Sequence, residues 1–172
     1  MSAIDLVVLG LVKQQPQGAY DIQKELAHRN LSSFIKVSTP SIYKKVIQLE
    51  DKGYIEGDVM KAGKMPEKAV YSITAKGEEY FLNLMRKMSE QPVNLFLDFN
   101  SVIMNLDLVP EETKDHYLSQ IKDKITILKE QIVENIALKP HIPQTGKSIL
   151  SQQLALAETL ELWINEGSNK EE

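Results

Sequence analysis

The sequence contains no cysteine, which excludes a disulfide framework, a thiolate zinc site and a cysteine nucleophile. It also lacks any run of about 18 apolar residues, so no segment is predicted to cross a membrane. The apolar start, residues 4–12, is short, is interrupted by Asp5 and has no basic flank, so a signal peptide is not expected. Together these absences predict a cytoplasmic protein.

Catalytic and metal-binding patterns are also scarce. The three histidines, His28, His116 and His141, are not spaced as metal ligands, so neither a metal site nor a cofactor is predicted. Gly146-Lys147-Ser148 has the end of a phosphate-binding loop, but that motif needs a glycine where His141 stands and a preceding strand. We interpret the tripeptide as a turn before a helix and do not expect an enzyme.

Charge is distributed unevenly along the 172 residues. Residues 1–88 hold 13 Lys and Arg against 10 Asp and Glu, a balance of +3, whereas residues 89–172 hold 7 against 14, a balance of −7. A mildly basic first half joined to an acidic second half predicts that only the first half meets phosphate. We therefore divide the chain into two domains, 1–88 and 89–172, and expect any nucleic-acid contact in the first.

Periodicity and turn residues in the first half predict three helices, a β-hairpin and a fourth helix, which is the order of a winged helix-turn-helix. The third helix has the clearest ends, because Thr39 suits an N-cap, Pro40 suits the first turn and Gly53 stops the helix. Thr74 is predicted to cap the fourth helix. The predicted helices and strands are 4–12, 20–29, 39–52, strands 54–60 and 69–74, and a helix from 75.

The third helix has the pattern of a recognition helix. Ile42, Val46 and Leu49 face the core, so Lys44 points outward, where side chains can reach base edges or phosphates. Ile47 also lies outward and is expected to contact a thymine methyl or to pack against the hairpin. The candidate DNA-binding residues are Ser38, Thr39, Ser41, Tyr43, Lys44, Lys45 and Gln48 at this helix, with Lys61, Lys64 and Lys68 in the hairpin loop.

Four segments resemble the PadR family of transcriptional regulators. They are Leu9-Gly10-Leu11, Gly18-Ala19-Tyr20-Asp21-Ile22, residues 41–55 and residues 70–77, with the pattern Leu-Glu-x-x-Gly followed by Tyr-x-Ile-Thr-x-x-Gly. The second half resembles the longer, virulence-regulator-like branch in helix number. The resemblance implies repression, a homodimer built from the C-terminal helices and, in some members, an aromatic or phenolic effector.

The second half is predicted to be entirely helical, with helices 93–108, 112–137 and 148–165. The apolar stripes of these helices exceed what one small bundle can bury, and an exposed stripe of that size is typical of a partner surface. Trp163 is interpreted as core or dimer packing rather than as a ligand contact. The candidate dimer-interface residues are Leu95, Phe99, Val102, Leu150, Leu154, Leu156, Leu160 and Trp163.

The predicted fold is therefore mainly α, with an N-terminal winged helix-turn-helix, a two-stranded β wing and a C-terminal helical dimerisation domain. The first hypothesis for function is a homodimeric regulator, a repressor that binds double-stranded DNA and is released by a small aromatic effector. The alternative is a winged-helix module that binds protein and no DNA, and a third is a small-molecule carrier with a relic DNA domain. DNA affinity that falls steeply with salt would distinguish the first.

Overall fold

A computed structural model describes residues 3–29, 39–60 and 68–167, and their side chains except those of residues 39–41, 59–60, 68 and 167. The chain divides into two compact units, Met1–Val93 and Asn94–Glu172. The N-terminal unit holds helices α1 (Ala3–Gln14), α2 (Ala19–His28), α3 (Thr39–Asp51) and α4 (Ala75–Ser89), with strands β1 (Ile55–Met60) and β2 (Lys68–Ile73). The C-terminal unit holds α5 (Asn100–Ile103), a 3₁₀ turn (Leu106–Leu108), α6 (Glu111–Leu138) and α7 (Gln144–Gly167).

The N-terminal unit is built around one apolar core. α1 contributes most to it because its apolar residues cover more than one stripe, and α2, α3, β1 and α4 close the core around it. The strands β1 and β2 pair antiparallel with Ile55 opposite Ile73, and Gln17 adds a single bridge to Tyr71. The predicted order of three helices, hairpin and helix is thereby confirmed. The buried core residues are Val8, Leu9, Leu11, Val12, Ile22, Leu26, Ile42, Val46, Leu49, Ile55 and Leu84.

The end of α3 is fixed by Gly53, whose φ of +70° places it in the left-handed region that favours glycine. The Gly53 N–H donates to the Glu50 carbonyl (2.7 Å) and the Tyr54 N–H donates to the Leu49 carbonyl (2.9 Å). These two hydrogen bonds form a Schellman motif, which satisfies carbonyls that the helix leaves unpaired. The chain therefore turns from α3 into β1 at a defined angle.

Thr74 connects the hairpin to α4, as the sequence predicts. Its hydroxyl donates to the Gly53 carbonyl (2.7 Å) and accepts from the Gly77 N–H (3.0 Å), so it caps α4 and holds the end of α3. A Cβ on Gly77 would lie 1.9 Å from the Tyr54 carbonyl oxygen, so only glycine permits this approach. The Thr-x-x-Gly sequence is thus explained by a junction of α3, β1 and α4.

The C-terminal unit consists mainly of α6 packed against α7. Ile125 and Ile132 of α6 are buried, as are Leu150, Ala157 and Ile164 of α7, which recur every seven residues. The Lys129 ammonium donates to the Glu161 carboxylate across the two helices (2.5 Å). In the described part of the chain, no helix has the length and apolar content to cross a membrane.

The predicted helix 93–108 is wrong, because the structure has only α5 and the 3₁₀ turn in this region. Apolar spacing favoured a helix, but the segment also holds Asn94, Asp98, Asn100, Asn105 and Asp107. Such side chains compete with the helix by bonding nearby backbone. The Asn105 amide donates to the Ser101 carbonyl (2.7 Å) where α5 ends.

The Gly146-Lys147-Ser148 segment is also corrected. It lies in the first turns of α7, which begins at Gln144, and not in a turn before the helix. Pro143, the residue before α7, stands where a helix commonly starts.

Candidate nucleic-acid interface

One face of α3 packs against the core of the N-terminal unit, and the opposite face is exposed. Ile42, Val46 and Leu49 are almost fully buried, at spacings of four and three residues, which is one side of a helix. Lys44, Tyr43 and Ile47 are exposed on the opposite side, and Gln48 is half-buried beside them. The arrangement presents a rigid helix with a cation, an amide and apolar groups on its outer surface.

Lys45 has a different environment from its neighbour Lys44. Its ammonium lies 2.8 Å from Oδ1 of Asp5 in α1, and the Lys45 side chain is mostly buried. No donor is aligned on this carboxylate oxygen, so the contact is an ion pair and not a well-formed hydrogen bond. The structure therefore places Lys45 between α3 and α1, whereas the sequence analysis included it among the candidate DNA-binding residues.

The second oxygen of Asp5 accepts a hydrogen bond from the Tyr80 hydroxyl of α4 (3.2 Å). Burial first, and then the negative charge of Asp5, raise the pKa of Tyr80 above its ordinary value. The phenol consequently remains protonated at neutral pH and keeps donating. Asp5, which is only 6% exposed, thus joins α1, α3 and α4 behind the outer face of α3.

A groove of about 320 Å³ lies alongside the outer face of α3. It is bounded by the start of α2, by α3 and by β2, and its lining is mostly apolar and aromatic. Tyr71 in its wall has its pKa raised by burial and then by Glu50, so its hydroxyl also stays protonated. The lining residues are Gly18, Ala19, Tyr20, Tyr43, Val46, Ile47, Ala69 and Tyr71.

Several predicted DNA-binding residues lie outside the described part. Ser38, Lys61 and Lys64 are outside the described residues, and the side chains of Thr39, Ser41 and Lys68 are not described. The backbone places Thr39 at the first residue of α3 and Lys68 at the first residue of β2, where the wing returns to the core.

The predicted dimer residues of the C-terminal unit fall into three groups by exposure. Leu150 is 6% exposed because it packs on α6, so it has little surface left for a second chain. Leu95, Val102, Leu156 and Trp163 remain substantially exposed, and Phe99, Leu154 and Leu160 are half-buried. Phe99 stacks on Trp163 with ring centroids 5.8 Å apart. The more exposed stripe of α7 is therefore the one that includes Leu156 and Trp163.

Residues 8–83 match the transcriptional regulator PadR-like family. The N-terminal unit therefore resembles the PadR-like family. This match spans α1 to α4, and so includes α3, the wing and the Thr74–Gly77 junction. A protein of Lysinibacillus sphaericus is 29% identical over 100 residues, which cover 55% of this chain and 88% of that protein.

Solved structures with a similar fold extend the PadR-like comparison to both units. Bacillus subtilis PadR in complex with operator DNA has a TM-score of 0.78 at 17% identity, over 95% of this chain and 97% of that one. The same protein with p-coumaric acid has a TM-score of 0.78 at 14% identity, over 95% and 92%. The Vibrio cholerae virulence activator AphA has a TM-score of 0.69 at 18% identity, over 95% of each chain. At these identities the likeness establishes the fold.

Sequence reasoning misses two features of this region. From the sequence, Asp5 is only an interruption of an apolar helix, although an acidic residue amid apolar neighbours indicates a buried partner. Tyr20 belongs to the predicted scaffold, but it is exposed and lines the groove together with Tyr43 and Ile47. In the described residues, no cluster of His, Asp or Glu is arranged to hold a metal ion.

Proposed function

We propose that the protein is a sequence-specific, DNA-binding transcriptional regulator that acts as a homodimer. The proposal rests on the two faces of α3. Ile42, Val46 and Leu49 bury the inner face in the core, and Lys44 and Gln48 lie on the outer face. A recognition helix needs both properties, since its side chains must enter the major groove in a fixed orientation. Bacillus subtilis PadR, which shares the fold, has been crystallised with operator DNA.

The wing supplies the second contact in this proposal. β1 and β2 extend from the core beside α3, and the connecting segment carries Lys61 and Lys64. Extended basic arms of this kind lie along the phosphate backbone or in the minor groove. Lys44 and the wing lysines are therefore assigned to DNA, and Lys45 is assigned to the ion pair with Asp5 that holds α3 in place.

The exposed stripe of α7 supports the homodimer. Leu156 is 40% exposed and Trp163 is similarly exposed, on a helix whose neighbouring stripe already packs on α6. An apolar stripe of this length is typical of an interface. A twofold operator also requires two recognition helices about 34 Å apart, which one chain does not supply.

The C-terminal unit also has room for an effector. An open groove of about 580 Å³ has mainly apolar walls, including Phe99, Tyr117 and Leu128, with Gln120 and Lys124 among its lining residues. Such a combination suits a small aromatic molecule that carries one polar end. Bacillus subtilis PadR binds p-coumaric acid, which has this chemistry. We propose relief of DNA binding by such an effector, and repression as the default output, although AphA of the same fold is an activator.

The alternative, a winged-helix module that binds protein and no DNA, is favoured only by the overall charge of −4. The acidic excess lies in residues 89–172, outside the DNA-contacting residues proposed for the N-terminal unit, so it does not argue against a DNA contact by that unit. A DNA-free module would show no salt-dependent affinity for duplex DNA, whereas phosphate contacts release counterions and make affinity fall steeply with salt.

The direct test is selection of bound fragments from bacterial genomic DNA by the purified full-length protein, followed by affinity measurements at several salt concentrations. We expect one enriched sequence with twofold symmetry and a linear fall of log affinity with log salt. Fragment recovery without enrichment, or affinity independent of salt, would contradict the proposal. Addition of p-coumaric acid to the enriched duplex then tests effector release.

A further inference from the structure

Ile47 is an unusual residue for the outer face of α3. It is 55% exposed, although an isoleucine contributes most when it is withdrawn from water. The sequence left two explanations open, a thymine contact or packing on the hairpin. The exposure shows that, within the described residues, the hairpin does not cover Ile47.

The surroundings of Ile47 combine apolar and cationic character. Tyr43 precedes it by one helical turn, and Tyr20 and Ala69 lie across the groove that Ile47 lines. Lys44, three residues earlier on the helix, is exposed beside it. Ile47 therefore lies between an apolar groove and the exposed side chain of Lys44.

The acidic residues of α3 lie at its C-terminal end, whereas Lys44 lies nearer its N-terminal end. Glu50 and Asp51 are the last two residues of the helix, after Leu49. In helix-turn-helix proteins the N-terminal residues of the recognition helix contact base edges. Lys44, the sixth residue of α3, is therefore closer to this N-terminal end than either carboxylate, and Ile47 lies between Lys44 and Asp51 on the exposed side of the helix.

The major groove of B-DNA presents hydrogen-bonding groups on all base pairs, but its apolar group is the C5-methyl of thymine. A branched aliphatic side chain offers no hydrogen bond, so it discriminates among bases by contact with that methyl. We infer that Ile47 is a specificity-determining residue that contacts a thymine C5-methyl in each operator half-site. This inference rests on the proposed function, because it requires α3 in the major groove.

The inference predicts a division of roles on α3. Lys44 and Gln48 provide hydrogen bonds and charge, and Ile47 provides selectivity for thymine over cytosine at one position. Cytosine lacks the methyl and presents a donor there, so it leaves Ile47 without its contact. Substitution of Ile47 should therefore relax the base preference at one position per half-site and leave the other positions unchanged.

Deoxyuridine provides the test, because it pairs like thymine but lacks the C5-methyl. Each thymine in one half-site of the selected duplex is replaced in turn, and affinity is measured for the full-length wild type, Ile47→Ala and Leu82→Ala. Leu82 is a matched control because it is exposed and lies on α4, outside the proposed interface.

We expect one thymine at which deoxyuridine weakens wild-type binding about fourfold, the value for one methyl group withdrawn from water. The effect should disappear in Ile47→Ala and persist in Leu82→Ala. No sensitive thymine, or equal sensitivity in Ile47→Ala, would overturn the inference while leaving the proposed function intact. If the wild type selects no duplex, the inference and the proposed function fail together.

Discussion

The two units of the chain bury their apolar residues to different extents. Among the described residues, the N-terminal unit contains eleven buried apolar side chains, whereas the C-terminal unit contains five, all on α6 and α7. Large exposed apolar side chains show the opposite distribution, with six in the N-terminal unit and fifteen in the C-terminal unit. The first unit therefore completes its own core, and the second leaves more apolar surface exposed, as is typical of an interface.

This difference indicates how the tasks are divided. In the N-terminal unit, polar side chains such as Asp5 and Thr74 join separate elements, so α3 is held at a defined angle. In the C-terminal unit, helix packing leaves one stripe of α7 accessible. We expect variants of the first unit to change stability or DNA affinity, and variants of that stripe to change assembly.

The largest effect is expected from Leu156→Asp, which introduces a charge in the exposed stripe of α7. The homodimer should dissociate, and operator affinity should fall roughly 100-fold or more because two linked half-site contacts become one. Leu162→Asp is the matched control, since Leu162 is 64% exposed on the same helix, about 120° around from Leu156. Sedimentation should show monomers only for Leu156→Asp. Equal behaviour of the two variants would contradict the assigned stripe.

Gly77→Ala should strongly destabilise the N-terminal unit. Its Cβ would lie 1.9 Å from the Tyr54 carbonyl, so α4 must move, at a cost of about 3 kcal/mol. Gly10→Ala is the control, and we expect it to change the free energy of unfolding in the opposite direction. Its Cβ would make only an ordinary contact with Phe81 (3.6 Å), and alanine within α1 should stabilise by about 0.5–1 kcal/mol.

Thermal unfolding measures both glycine variants. Gly77→Ala should lower Tm by more than about 10 °C, while the dimer persists because α7 is unchanged. A Gly77→Ala protein with wild-type Tm would show that the junction of α3, β1 and α4 tolerates a side chain. Loss of the dimer in the same variant would show that the two units do not act separately.

The adjacent lysines of α3 should respond differently to alanine. Lys44→Ala should weaken operator binding by about 2 kcal/mol with unchanged Tm, because Lys44 is exposed on the outer face. Lys45→Ala should lower stability by about 2 kcal/mol, because Asp5 would remain buried without its cation. Asp5→Asn added to Lys45→Ala should recover part of that stability.

Calorimetry and binding measurements on the same samples separate the two lysines. If Lys45→Ala weakens DNA binding and leaves the unfolding free energy unchanged, then the DNA contact predicted for Lys45 from the sequence is correct. If Lys44→Ala leaves affinity unchanged at physiological salt, then the outer face of α3 is not the DNA-reading surface.

The smallest effect is expected from replacing Lys61, Lys64 and Lys68 by alanine. Affinity should fall on the order of tenfold at physiological salt, equally for specific and nonspecific duplexes, because phosphate contacts carry no sequence information. The log–log salt slope should flatten by about 0.9 for each phosphate that is no longer neutralised. If only specific binding falls, the wing reads bases.

Much of the N-terminal fold could be predicted because its signals are local. The N-cap at Thr74, the stop at Gly53 and the stripe Ile42, Val46 and Leu49 depend on residues a few positions apart. The pair between Asp5 and Lys45 could not be predicted in the same way, because it joins residues forty positions apart that only tertiary packing brings together.

The C-terminal unit was harder to predict because apolar periodicity is ambiguous there. Two adjacent stripes on α7 are both apolar, and the sequence alone does not say that Leu150 faces α6 while Leu156 faces outward. For residues 93–108, apolar spacing predicted a helix, but the Asn and Asp residues limit helical structure to short turns.

The most direct test of a dimer that joins two DNA-reading units is the mass of the protein, free and bound to one operator duplex, measured by light scattering at micromolar concentration. We expect twice 19.5 kDa for the free protein and two chains per duplex in the complex. A free mass of 19.5 kDa, or a complex that contains one chain, would contradict a division in which the C-terminal unit joins two DNA-reading units.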